Sequence, residues 1–497
     1  MNNNKFFKLI TSKYFVLGIQ FIVSLVAVYF VFKLNLIPTK YLITIIVVLL
    51  ILMISFFAII YNGEKNIKDG VTSKRSIITK IISLLVSIVL VVGCAMISRG
   101  DKFIEKVSNA TGQRYVVSVI ALKDSDINKK NLNGKKFGVS YEKDSTTLTT
   151  ALADMEEDIG EQTYDKYDNY MDLSDALYSG AVDCIVVGEQ YRSMLQSNHE
   201  AFNDETKVIT SYSYDAKLEV TTKKTNVTEN PFSVYVTGID VYGSLKTVSR
   251  SDVNLIVTVN PKTKQILMTS IPRDCEIELH KNGKLDKLTH TGIYGTNETI
   301  NTIQDLLDME INYFVRTNFS GMTNIVDALG GITVESDEEF TTLHGNYHIT
   351  EGMNQMDGDK ALCFVRERKR LKLGDFARGR NQQKVLKALM DKALSPTIIT
   401  NFDNVLSALE GSFETDMSSD EIRSLLNMQL NDMADWNIIN VQIEGEYYDC
   451  YETYSMNGTK SDVMKPFEGH IKRVRNLINK VEEGKKIDES ELKGLVH

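Results

Sequence analysis

Residues 232–274 read FSVYVTGIDVYGSLKTVSRSDVNLIVTVNPKTKQILMTSIPRD. Three runs in it, FSVYVTGI, DVNLIVTV and KQILMTSI, are apolar, rich in β-branched residues and each the length of one strand. Turn formers over 260–263 join the last two and predict antiparallel pairing. Asp240 then ends the first strand, Asp252 opens the second, and Arg273 follows the third. If the first two strands also pair antiparallel, all three side chains emerge at one edge of the sheet. Arg250 lies two residues before Asp252, on the same face where the chain is extended. Two carboxylates at one edge would suit Mg²⁺, which takes one or two and fills its other positions with water and substrate phosphate. Taken singly, each Asp at a strand end is more often a turn cap.

Upstream, TTKKTNVTEN with Pro231 reads as a linker. Residues 115–222 alternate between short strands (VVSVIAL, KKFGVSY, VDCIVVG) and helical segments (TTLTTALADMEEDI, SDALYSG), which predicts a small α/β domain. This stretch resembles one lobe of a periplasmic solute-binding protein and contains no paired acid, metal or phosphate motif. Residues 101–111 read as a helical extension out of a membrane. Before them, residues 14–32, 41–61 and 77–97 are nearly unbroken apolar runs, each close to the about 20 residues that cross a hydrocarbon core. Lys5, Lys8 and Lys13 precede the first run, and Lys65, Lys68, Lys74 and Arg75 separate the second from the third. The positive-inside rule puts both segments in the cytoplasm and everything after Arg99 outside a bacterial cell membrane.

Downstream, helices are expected over 298–308, 320–329 and 381–393, with strands at INYFVRT, GITVES, ALCFV and NIINVQIEG. Ser418 and Glu421 form a capping box, and 463–481 reads as a closing amphipathic helix. The fold class is therefore α/β: a cytoplasmic tail and three transmembrane helices over 1–99, an extracytoplasmic accessory domain over 100–228, and a larger domain with a central mixed sheet flanked by helices over 229–497. The five cysteines lack any CxxC spacing, so buried free thiols are expected rather than disulfides or zinc. A net charge of -9 argues against nucleic acid as a partner.

Against that acidic background, residues 365–383, VRERKRLKLGDFARGRNQQ, hold five of the fifteen arginines. Guanidinium suits bidentate grip on carboxylate or phosphate, where lysine would serve for solubility. Arg366 and Arg368 share a face if the chain there is extended; Arg378 and Gln382 are neighbours if one helix includes both. Glu367, Lys369, Arg370 and Lys372 read as a solvated surface set. His290 could titrate near neutrality, although a hydrogen-bonded structural role is the more common fate of an isolated histidine.

These motifs, together with KLTHTGIYG, VRTNFSGMTNIVDALGGITVES, FVRER and GDFARGRNQQKVL, closely resemble the LytR-CpsA-Psr (LCP) family of cell-envelope proteins over about 232–389. Three spans before an accessory domain look most like its capsule-associated, CpsA-type branch. The resemblance implies a phosphotransferase moving a glycopolymer, capsular or teichoic-acid-like, from a polyprenyl-pyrophosphate carrier to peptidoglycan, on an α/β sheet enclosing an apolar lipid tunnel. It further implies that Asp240 and Asp252 hold Mg²⁺, and that Arg250, Arg273, Arg366, Arg368, Arg378 and Gln382 surround the pyrophosphate. The family's Arg-Gln-Gln is Asn381-Gln382-Gln383 here, with Arg380 displaced by one position. Asp252 and Asp375 are the candidate bases, with Arg378 stabilising charge. The rival readings are a membrane-anchored regulator or receptor, and a hydrolase of the lipid pyrophosphate.

Overall fold

The computed structural model describes residues 12–34, 37–65, 73–140, 145–218, 222–239, 244–393 and 402–495. Helices Lys13–Leu34, Thr39–Lys65 and Lys74–Val107 are each long and apolar enough to cross a membrane. Their outward side chains, Leu25, Ile54 and Val89 among them, are exposed, which is tolerable only against lipid and marks a membrane anchor. Between the first and third helices Ser83 donates a buried hydrogen bond to Gln20, the polar contact expected where lipid gives no other partner. The third helix continues to Val107 and grips the chain's last third: Arg423 Nε donates to Asp101 at 2.8 Å, and the Phe103 and Phe413 rings meet edge-on at 5.9 Å.

The accessory region is a five-stranded mixed sheet of β1 (Gly112–Leu122), β2 (Phe137–Ser140), β3 (Tyr164–Tyr167), β4 (Cys184–Gly188) and β5 (Thr206–Lys217). Its order is β3-β2-β4-β1-β5, with β1 antiparallel to both neighbours and β2 parallel to both of its own. Helices Ser145–Ile159 and Tyr170–Tyr178 cover it, the second capped by Asn169 accepting from Asp172 N.

The larger sheet has six strands: β6 (Phe232–Ile239), β7 (Ser251–Asn260), β8 (Gln265–Ser270), β9 (Tyr313–Asn318), β10 (Phe413–Thr415) and β11 (Asn437–Gln442). The order is β10-β9-β6-β7-β8-β11; β6-β7 and β7-β8 are antiparallel hairpin neighbours, whereas β9 and β11 join by parallel pairing. Alternate side chains feed two cores. Tyr235, Ile256 and Leu267 meet helices Thr296–Leu307 and Glu468–Glu482 on one face; Val234, Leu255 and Met268 meet Leu386, Met390 and Ile422 on the other. Burial on both faces explains why these strands read as continuous apolar runs.

Three local expectations fail or shift. ALCFV is no strand but part of helix Gly358–Arg366, started by Asp357 accepting from Lys360 N. Ala361, Phe364 and Val365 are the buried positions, a three-and-four spacing that a five-residue window hides. Residues 461–466 form a strand paired with Gly445–Cys450, and the closing helix begins only at Glu468, since Pro466 cannot sit inside it. Helix Asp375–Ala393 starts six residues before the expected 381. The five cysteines are free.

Candidate active site

The residues of the sheet edge converge as strand geometry requires. In β6-β7 the register passes from Gly238↔Val253 to Ile239↔Ser251, so Asp252 is the extra residue of a bulge and its side chain is re-aimed. β7 pairs Leu255 with Ser270, so extending both strands by three residues sets Asp252 opposite Arg273. The Arg273 Nη1 group donates to Asp252 Oδ2 at 2.5 Å, and Thr289 Oγ1 to Oδ1 at 3.0 Å. Asp240 lies outside the described residues.

Gly292 makes this approach possible. A Cβ there would stand 2.5 Å from the Ser249 carbonyl oxygen and 2.8 Å from Ser251 N, so the turn after His290 is pressed against the backbone that carries Arg250. His290 itself is buried, its Nδ1 2.7 Å from Asp286 Oδ1, while Asp286 Oδ2 accepts from Ser455 N at 3.0 Å. Burial lowers its proton affinity, with Asp286 opposing, and it does not line the cavity: its role is structural.

A second group comes from the arginine-rich segment. Arg366 ends its helix and Arg368 follows it, with Arg368 Nη1 3.4 Å from Asp274 Oδ2. Helix Asp375–Ala393 includes both Arg378 and Gln382, and Arg378 Nη2 lies 2.5 Å from Asp375 Oδ1. Arg250, Asp252, Arg273, Arg366, Arg368, Arg378 and Gln382 all line one cavity of about 920 Å³. Asp375 does not; it stands behind Arg378. Neither Arg370 nor Arg380 lines it.

Asp274 has no role in the sequence reading, and its side chain is 0% exposed with Lys287 Nζ 2.5 Å from Oδ1. Its position beside Arg273 and the motif beginning at Lys287 were the available signals. Glu367 is also not the surface charge expected. It is buried and accepts from the backbone N–H groups of Leu343 (2.6 Å), Arg368 (2.9 Å) and Arg370 (3.1 Å), which ties down the loop bearing the arginines.

Burial alone would push the Asp252 carboxyl up, but Arg273, Arg250 and Arg378 outweigh it and hold it well below the usual carboxylate range. Asp274 is drawn down to about 2 against the same burial by Lys287 and Arg273. Asp375 moves the other way: burial dominates over Arg378, and its carboxyl rises. The permanently ionised Asp252 is thus a hard anionic oxygen and a weak base. Glu367, the other carboxylate that this half of the chain presents to the cavity, is spent on backbone. Among the described residues no cluster of three or more His, Cys, Asp or Glu could hold a metal by itself. The donor set fits Mg²⁺ only as an ion completed by substrate oxygens and water.

Guanidinium groups fixed by carboxylates around one ionised aspartate have the chemistry to grip a polyanionic ligand. The chain belongs to the LytR-CpsA-Psr family: the family model described as LytR_cpsA_psr matches residues 192–467. It is an LCP-type transferase. Among curated relatives, the polyisoprenyl-teichoic acid–peptidoglycan teichoic acid transferase TagU of Bacillus anthracis is 32% identical over 241 residues, spanning 48% of this chain and 70% of that protein. The TagU protein of Bacillus cereus strain AH820 is 32% identical over 248 residues and is covered to 79%. Among solved structures, B. subtilis TagV superposes with a TM-score of 0.44 at 25% identity, covering 52% of this chain and 99% of that one.

Proposed function

We propose that this membrane-anchored protein transfers a glycopolymer, capsular or teichoic-acid-like, from a polyprenyl-pyrophosphate carrier to peptidoglycan on the outer face of the membrane. The observation that carries the reading is the charge of the cavity wall built by the larger domain: Arg250, Arg273, Arg366, Arg368, Lys369 and Arg378 face it, against Asp252 and the backbone-bound Glu367. A pyrophosphate supplies the missing anionic charge. The names of the TagU relatives supply the two substrate classes. Ile239, Met322, Leu362 and Val365 give the cavity an apolar side toward which the lipid would run. The helix over Thr296–Leu307, by contrast, is core: Ile300, Ile303 and Leu307 are fully buried.

In the reaction an acceptor sugar hydroxyl forms a bond to the phosphorus carrying the glycan, and the bond from that phosphorus to the bridging oxygen of polyprenyl phosphate breaks. The hydroxyl proton passes to the departing phosphate. No strong base is needed early, because phosphoryl transfer runs through a loose transition state in which bond formation lags. Asp252 is too acidic for that task, and Asp375 reaches the cavity only through Arg378. Instead Arg273, Arg368 and Arg378, held by Asp252, Asp274 and Asp375, are aimed where negative charge gathers and need not reorganise. Asp252, with Asp240, would hold Mg²⁺, which when bound neutralises phosphate oxygens.

The test incubates the full chain in lipid nanodiscs with lipid-linked glycan and peptidoglycan. Wild type is expected to transfer glycan, with magnesium dependence, and Asp252→Asn to fall by at least about a hundredfold. Release of glycan to water alone would replace this reading with the hydrolase, and neither product would return the regulator.

A further inference from the structure

The cavity has a second wall that the LCP sheet does not build. Ser118 on β1, Val208 and Ser211 on β5, and the segment between β4 and β5 all face it. About 920 Å³ is room for a drug-sized ligand, far more than a pyrophosphate occupies. The segment's side chains form a hydrogen-bonded strip. Arg192 clasps Glu189 through Nε (2.5 Å) and Nη2 (2.7 Å), Arg192 Nη1 reaches Asn203 Oδ1 at 3.4 Å, and Asn203 Nδ2 donates to Gln196 Oε1 at 3.2 Å.

The wall is fixed to the catalytic half. Ile293 and Met456 are buried in one apolar cluster with Ile120, Leu173, Tyr191 and Phe202 of the accessory region. Arg114 N donates to the Lys246 carbonyl at 2.6 Å, and Val248 N to the Arg114 carbonyl at 2.8 Å. β1 therefore begins beside the loop leading to Arg250, and its middle residues Val116 and Ser118 line the cavity.

Its chemistry is opposite to that of the arginine wall. Glu189, Glu200 and Asp204 stand against one guanidinium, Arg192, which Glu189 already neutralises. Such a surface repels a second phosphate. Its amides and carboxylates, planar and prearranged, match the paired donor and acceptor needs of neighbouring sugar hydroxyls. With guanidinium on one side and apolar residues beneath, this wall is left for the neutral, hydroxyl-rich part of a substrate. We infer that the accessory sheet contributes a saccharide subsite to the transfer cavity, with Gln196 and Asn203 as its hydrogen-bonding residues. The inference rests on the transferase reading for the source of the sugar, which is either the donor glycan or the acceptor strand.

Gln196 and Asn203 are exposed, so Gln196→Ala/Asn203→Ala in the full chain leaves the cores untouched. Removing one or two neutral hydrogen bonds should raise KM about three- to tenfold for whichever saccharide binds there, with kcat within about twofold. A rise for lipid-linked glycan assigns the donor; a rise for peptidoglycan assigns the acceptor. Binding of sugar-free polyprenyl pyrophosphate should be unchanged. Both KM values unchanged, or equal loss for the sugar-free lipid, overturns the subsite while the transferase reading stands. Should wild type show no transfer, saturation-transfer NMR with an uncrosslinked peptidoglycan glycan fragment and with the glycan released from the donor lipid decides separately. Weaker contact of either with the variant supports the subsite, and equal or absent contact refutes it.

Discussion

The two sheets use similar materials and differ in what they bury. Among the described residues, the buried polar groups of the accessory sheet and its helices are neutral: Ser118, Ser140, Ser174, Gln190 and Thr206. Its Arg114–Asp215 ion pair lies on the surface, where such pairs add little. The larger sheet and its helices bury Asp286, Arg316 and Asp416, and add Asp274, Glu367, Asp375 and Arg378 at or beside the cavity edge. Buried ions cost more in lost hydration than they return unless their geometry is close to ideal. The four beside the cavity mark where stability has been given up for a prearranged field.

The strongest way to break the contrast is Arg378→Ala. It leaves Asp375 uncompensated in the interior, which should cost about 3–5 kcal/mol in thermal or denaturant unfolding. Transfer should fall about 10²- to 10³-fold. Arg378→Ala with Asp375→Ala should recover much of the stability and none of the activity, because the stranded carboxylate is gone while the guanidinium is still missing. If activity returned with stability, Arg378 would be only scaffold.

Asp274→Asn separates the halves by pH. A carboxyl depressed in the folded state stabilises fully above its unfolded value of about 3.9, and the contribution fades as pH falls through the folded value. For Asp274 that window runs down to about 2. Wild type should therefore lose stability across it, and the variant, already weaker at neutral pH, should show a flatter curve that converges at the acid end. Asp375 acts with the opposite sign: its raised value makes the folded state less favourable as pH climbs through it. Hydrogen exchange followed by pH should place the acid-labile amides around the larger sheet's edge, not in the accessory sheet.

Gly292→Ala tests the close approach of the two chain segments. With no space for a methyl group beside Ser249 and Ser251, backbone must shift, at about 1–3 kcal/mol, and Arg250 with it. Transfer should fall more than stability alone explains, read as kcat at a temperature where the variant remains folded.

Much of this edge was legible because strand periodicity is exact: once β6, β7 and β8 are placed, Asp252 and Arg273 must meet. The bulge that makes Asp252 the odd residue was not legible, since it depends on packing. The helix over Gly358–Arg366 reads as a strand in the sequence because five apolar residues fit either period, and the cap at Asp357 lies outside that window. β5 alternates cleanly through KVITSYSYDAK and could have been read as a strand. That the accessory sheet walls the cavity left no local trace, because contacts such as Arg114 with Lys246 join segments that are distant in sequence.

The smallest expected effect is the most discriminating within the arginine-rich segment. Arg368 is 38% exposed, lines the cavity and reaches Asp274; Arg370, two residues on, is exposed and does not line it. Both belong to one charged run, RERKR over 366–370. Arg368→Ala should lower transfer about tenfold or more, as loss of a charge-assisted contact does. Arg370→Ala should alter stability by less than about 0.5 kcal/mol and leave kcat and KM within error. Equal losses would mean that the segment acts as a diffuse basic patch, whose effect should then fade as salt approaches 1 M and the screening length shrinks to about 3 Å. A loss confined to Arg368, and persisting in salt, is what a guanidinium fixed by a buried carboxylate predicts.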